Sequence, residues 1–244
     1  MTGLSRRAQL YMAGQALPAW LVNIHAGGVA LSEERLLLLS NVIELRDRHV
    51  WGHSQRVARF ATLMAQELGL PLERMERVRK AGLLHDIGKL GISESILFKP
   101  GRLTPAEYEI VKQHAALGAD IISRCHSLGA LLPFVRHHHE HYDGGGYPDR
   151  LQGQAIPLEA RILSVADAVE AMASGRPYRP ALDRRAILTE IQHHAGAQFD
   201  PEVVIAFVRV AQIGGDGVIV NSRGADEAHT DAPDEKSDPL PAST

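Results

Sequence analysis

Helical periodicity is the feature that most limits what this chain can become. His53, Val57, Phe60, Ala61, Met64 and Leu68 fall at i, i+4, i+7, i+8, i+11 and i+15, one face of a helix. Val78, Ala81, Gly82, His85 and Lys89 form a second stripe. Strand alternation is nearly absent, and only residues 217–221 hint at an extended piece. Gly69 and Pro71 close the His53 helix. Thr104-Pro105-Ala106-Glu107 reads as a capping box with proline at the first helical position. Further helices are predicted from Ser32 towards Arg46, from about Leu72, over Ala119–Cys125, from about Leu128 into His137–His139, and from near Pro157, Asp183 and Asp200-Pro201. Asp143-Gly144-Gly145-Gly146-Tyr147-Pro148 is turn chemistry and predicts a loop. The expected fold class is all-α.

Each stripe is apolar apart from a few groups, and those groups carry the chemistry. A lone histidine on such a face is ordinarily a core residue with a satisfied hydrogen bond. His53, the His85-Asp86 pair, His114, the His138-His139 pair and Asp167 sit on or at the ends of separate helices. Buried imidazoles and carboxylates spread over five packed helices are costly unless they meet. A shared metal site removes that cost. Imidazole and carboxylate without thiolate suit iron, manganese or zinc. Seven groups exceed what one ion needs, so two ions bridged by Asp86 fit the set. Two such ions lower the pKa of a shared water and clamp an in-line phosphoryl displacement. Lys89, one turn after His85, is placed to neutralise a phosphate oxygen or assist the leaving group; a surface lysine is the alternative.

Composition sets the remaining bounds. The chain has 244 residues, 45% of them hydrophobic, enough for a full core. A net charge of −3 gives no case for a nucleic-acid polymer as partner. The single cysteine, Cys125, cannot form an intrachain disulfide, which fits a reducing, cytoplasmic setting. Ala8 to Ser32 lacks formal charge, but Gln15, Pro18, Asn23, His25, Gly27 and Gly28 interrupt it, so no membrane span is expected. The expected organisation is an N-terminal helical segment (1–46), a catalytic domain (47–213) and a disordered acidic tail (214–244).

The motifs resemble a known family. His85-Asp86-Ile87-Gly88-Lys89 is similar to the signature of HD metal-dependent phosphohydrolases, and His138-His139-Glu140 through Gly146-Tyr147-Pro148 resembles the longer HD-GYP signature. His53-Ser54-Gln55-Arg56-Val57, Leu97 to Gly101, Lys112-Gln113-His114, Ala160 to Asp167, Arg176 to Arg179 and Gln198 to Pro201 follow the family in the same order, from about Asp47 to Val210. The resemblance implies an HD-domain helical bundle with a C-terminal helical extension. It implies a phosphodiesterase cleaving cyclic di-GMP to pGpG, and in some members on to GMP, with two divalent ions, iron or manganese. The implied ligands are His53, His85, Asp86, His114, His138, His139 and Asp167. Lys89, Arg176 and Arg179 would face the substrate phosphates. The Gly146-Tyr147-Pro148 loop is associated with substrate access and with docking of GGDEF-type cyclase domains. Homodimerisation stays open. Two positions depart from the pattern. His49 stands where some members carry a third-metal glutamate, and Glu170 replaces an aspartate, which puts fine substrate positioning in question. Two other readings remain: an HD hydrolase of another nucleotide, and a module that binds cyclic di-GMP or cyclase domains with little turnover.

Overall fold

The computed structural model describes residues 32–46, 52–174 and 180–213. Expectations for residues 1–31, His49, Arg176, Arg179 and the tail after Ile213 lie outside them. Ten α-helices build the described part: α1 (Glu33–Arg46), α2 (His53–Glu67), α3 (Leu72–Leu84), α4 (Glu94–Leu97), α5 (Pro105–Lys112), α6 (His114–Ile122), α7 (Leu132–Arg136), α8 (Leu158–Ser174), α9 (Arg184–His193) and α10 (Pro201–Ile213). Short 3-10 turns span Ile87–Gly91, His126–Leu131 and Gly153–Ala155. No strand occurs among the described residues; Ala195 and Phe199 form one isolated bridge. No described helix is long and apolar enough to cross a membrane.

The helix starts follow from local chemistry. Thr104 accepts the Glu107 amide and Glu107 returns a bond to the Thr104 amide, completing the capping box of α5. Asp183 caps α9 through the Ala186 amide. Gly52, at φ 71, precedes α2 in a left-handed conformation that glycine adopts at little cost. Glu44 of α1 then accepts the Gly52 and Ser54 amides at 2.9 and 2.6 Å, capping α2 from a neighbouring helix.

Packing follows the stripes. α2 lies against α3 and α8, and its Val57, Ala61 and Met64 are at most 1% exposed. Leu36 of α1, Leu84, Ile121, Ile162 and Phe207 join the same core. Burying one such side chain contributes about 1.5–3 kcal/mol. Two predicted helices end early. α3 stops at Leu84, so Lys89 is carried by the 3-10 turn rather than by the stripe. The Leu128 helix becomes a 3-10 turn and then the five-residue α7, leaving His137–His139 in turns beyond it. α5 ends at Lys112, and after Gln113 His114 opens α6.

Candidate metal centre

Four buried histidines are aimed by their backbones or by one carboxylate. Nδ1 of His85 lies 2.7 Å from the Gly82 carbonyl, Nδ1 of His114 2.7 Å from that of Val111, and Nδ1 of His138 2.7 Å from that of Val135. In each case the carbonyl belongs to the residue three positions earlier and can only accept. The hydrogen-bond network therefore assigns the proton to Nδ1 and the lone pair to Nε2. In His53, Nδ1 is held in a short bond with the Glu170 carboxylate. All four Nε2 atoms then converge. His53 and His85 meet at 3.4 Å, and His114 and His138 at 3.3 Å. His139 packs its ring on His138 and His114, with centroids 4.1 and 5.0 Å away.

Asp86 spans the two halves. Its Oδ2 lies 3.5 Å from His85 Nε2 and 3.8 Å from His53 Nε2, while Oδ1 lies 3.5 Å from His114 Nε2. Asp167 contributes Oδ1 at 3.3 Å from His53 Nε2 and 3.9 Å from His85 Nε2. The seven groups expected from the sequence are thus brought together, with Asp86 in the bridging position. Lys89 pairs with Asp86 Oδ2 through Nζ.

Electrostatics divides the cluster. Burial disfavours a charged His53, but the bonds and charges of Asp167 and Glu170 outweigh it and push its pKa up to about 10. At the other end, burial, reinforced by neighbouring histidines, holds His138 well below its ordinary value. Burial and His114 hold His139 down at about 3. His114 is lowered as well, chiefly by burial. Burial also opposes charge on Asp86, yet Lys89 and then His85, His114 and His53 keep its carboxyl well below the usual range. The His114–His138–His139 end therefore presents neutral imidazoles, the ligand form, beside an ionised carboxylate. With Nδ1–H fixed on both rings, the facing Nε2 lone pairs of His114 and His138 repel unless a cation offsets them. The donor set of two triads, His53–His85–Asp86 and His114–His138–His139, fits metal ions.

Supporting residues less evident in the sequence complete the site. Glu170, 1% exposed, accepts from Arg56 Nε at 2.7 Å and from Ser174 Oγ as well as from His53. The glutamate at this position thus acts behind a histidine. Arg56, one turn after His53, could have been found from helical spacing; the Glu170 contact is between distant segments and could not. Glu140 is buried and accepts the Asp149 and Leu151 amides at 2.7 and 3.1 Å, folding the glycine loop. A Cβ on Gly146 would stand 2.2 Å from the His141 nitrogen and 2.5 Å from the His139 carbonyl oxygen, so the loop closes this tightly only with glycine there. The closure lays the Tyr147 ring on His139, centroids 4.9 Å apart. Burial raises the Tyr147 phenol, which stays protonated. His137 turns away to Asp149 at 3.0 Å, alongside the Arg136 fork on the same carboxylate at 2.6 and 2.8 Å.

Known proteins give the same picture. A family model described as "HD domain" matches residues 37–203. A cyclic di-GMP phosphodiesterase response regulator, RpfG, of Xanthomonas campestris is 42% identical over 72% of this chain and 47% of its own length. A cyclic di-GMP phosphodiesterase of Thermotoga maritima is 40% identical over 72% of the chain and 49% of its own. The chain therefore spans about half the length of these curated relatives. Among solved structures, a cyclic GMP-AMP specific phosphodiesterase of Vibrio cholerae shares the fold with a TM-score of 0.58 at 20% identity, over 74% of this chain and 48% of that one. The chain belongs to the HD domain family, in its HD-GYP branch.

Proposed function

We propose that this chain is a metal-dependent phosphodiesterase that hydrolyses cyclic di-GMP to pGpG, with further cleavage to GMP as a second step. The observation that carries the reading is Asp86 lying between the His53–His85 pair and the His114–His138–His139 triad, with one oxygen towards each. His53, His85, Asp86, His114, His138, His139 and Asp167 would hold two divalent ions, iron or manganese, which when bound would supply Lewis-acid charge to acidify a water and neutralise phosphate oxygens. The protein's own groups do the rest. The three carbonyls fix His85, His114 and His138 in one tautomer, and Glu170 orients His53. Lys89 holds Asp86 ionised and presents its ammonium to a non-bridging phosphate oxygen. Tyr147, stacked on His139, walls the substrate's approach. Arg176 and Arg179 bind the phosphates, and the Gly146-Tyr147-Pro148 loop docks a GGDEF-type cyclase domain.

The names of the relatives support a cyclic dinucleotide. The Vibrio cholerae structure favours a second reading, in which cyclic GMP-AMP is the substrate. Purified, metal-analysed protein is incubated with each dinucleotide and the products are resolved chromatographically. Linear pGpG from cyclic di-GMP supports the first reading. Turnover of cyclic GMP-AMP alone selects the second, and no turnover with a full metal complement removes both.

A further inference from the structure

Beside the centre, separated from it by the Tyr147 ring, lies a cavity of about 460 Å³. Glu109, Lys112 and Gln113 form one wall, and Gly144 to Pro148 with Arg150 form the other. Lys112 is already committed: its Nζ pairs with Glu109 at 2.5 Å and lies 5.4 and 5.6 Å from the Tyr108 and Tyr147 ring centroids. Arg150 is not. Its side chain makes no hydrogen bond or ion pair among the described residues, whereas Arg136 at the end of α7 is tied to Asp149.

Arg150 is also the one described non-glycine residue with positive φ, at 56°. That backbone region favours glycine and is uncommon for a long side chain. The conformation is imposed from both sides, because the two Glu140 oxygens hold the amides of Asp149 and Leu151. A strained, uncommitted arginine facing a cavity with an aromatic wall has the makings of a ligand contact.

We propose that this cavity receives a guanine base, with Tyr147 as the stacking surface and Arg150 as the fork on its O6/N7 edge. The inference rests on the cyclic-dinucleotide reading and adds a determinant of base identity. Guanine presents two acceptors on that edge, which match two guanidinium N–H donors. Adenine presents N7 as an acceptor but N6 as a donor, which faces the fork unpaired. Splayed bases are commonly held by stacking on a tyrosine in this way.

The test is calorimetric titration of metal-loaded protein with GMP and with AMP. Wild type should bind GMP about tenfold more tightly than AMP, the discrimination a good bidentate pair supplies. Arg150→Gly removes the fork and places at φ 56° the residue best suited to it, so melting temperature and metal content should hold while GMP affinity falls to that of AMP. Arg150→Lys keeps the charge without the fork and should lose the preference too. No GMP preference in wild type, or a preference that survives both variants, overturns the inference. Turnover of cyclic di-GMP is measured on the same preparations. An Arg150-dependent GMP preference without turnover sinks the functional reading and keeps the pocket; turnover with GMP binding indifferent to Arg150 does the reverse.

Discussion

Gly88 sits where the 3-10 turn after Asp86 meets the first turn of α6, and Gly88→Ala should damage fold and site together. A Cβ there would lie 1.9 Å from the His114 carbonyl oxygen, 2.5 Å from the Gly118 nitrogen and 2.8 Å from the His114 carbonyl carbon. Ordinary contact begins near 3.4 Å, so the oxygen is about 1.5 Å too close. All three atoms are backbone, so no rotamer change relieves the clash. α6 must slide from the turn, and the 3.5 Å approach of His114 Nε2 to Asp86 Oδ1 must lengthen with it. Overpacking of this kind costs about 1–3 kcal/mol, occasionally more. The unfolded chain's loss of freedom offsets roughly 0.4–1 kcal/mol of that. We expect a net loss of about 2 kcal/mol from these two effects. Two other glycines calibrate it. At Gly82 the nearest atom is the Ala58 Cα at 2.7 Å, also backbone but less close; at Gly118 it is a methyl of Val135 at 3.1 Å, which can give. The order of destabilisation should be Gly88, then Gly82, then Gly118, with Gly118→Ala near neutral because alanine favours the helix interior by about 1 kcal/mol. Urea unfolding followed by circular dichroism gives the order, and elemental analysis gives the metal retained. A Gly88→Ala protein within about 0.5 kcal/mol of wild type, with full metal content, would refute the reasoning.

Asp86→Ala should abolish turnover and sharply reduce bound metal in a chain that still gives a helical spectrum; a folded variant with full activity contradicts the bridging role. Glu170→Ala removes the acceptor behind His53 and should weaken metal affinity about 10- to 100-fold, while Glu170→Gln, which keeps an acceptor oxygen, should lose less; equal losses in a metal titration would show that geometry is not what Glu170 supplies. The Arg136 fork, and then His137, bring Asp149 down to about 2 from a usual 3.8. Because the folded pKa is depressed, the stabilisation is present above pH 4 or so and is lost as pH falls through about 2. Arg136→Ala should therefore narrow its stability gap to wild type in acid, and a gap of constant size between pH 6 and pH 2 would remove Asp149 from the account.

The sequence made the helices and the seven converging groups legible because both leave a local trace. A period of 3.6 marks a face whether or not its partner is known, and a histidine within such a face declares itself. The Thr104 capping box was readable for the same reason, since all its atoms lie within four residues. Termini set by distant contacts were not readable. α3 ends at Leu84, and the following turn brings Gly88 against the His114 carbonyl, a neighbour 26 residues away in sequence. His137, His138 and His139 share the turn beyond α7, where the spacing predicts helix, and within that turn His137 meets Asp149 while His138 and His139 meet His114. Glu170 could be seen to differ from the family pattern. Its contact with His53 spans 117 residues and no spacing rule reaches that far.

The four anchored histidines differ in how freely their aim can drift over generations. His85, His114 and His138 take their orientation from main-chain carbonyls, which every amino acid supplies. Neighbouring side chains can be replaced there without turning a ring, so those positions are buffered against mutation. His53 takes its orientation from a side chain, and that side chain is shared with Arg56 and Ser174. A single codon change at residue 56, 170 or 174 can re-aim it. Variation in the chemistry of this centre therefore has one inexpensive evolutionary entry point, on the α2–α8 side.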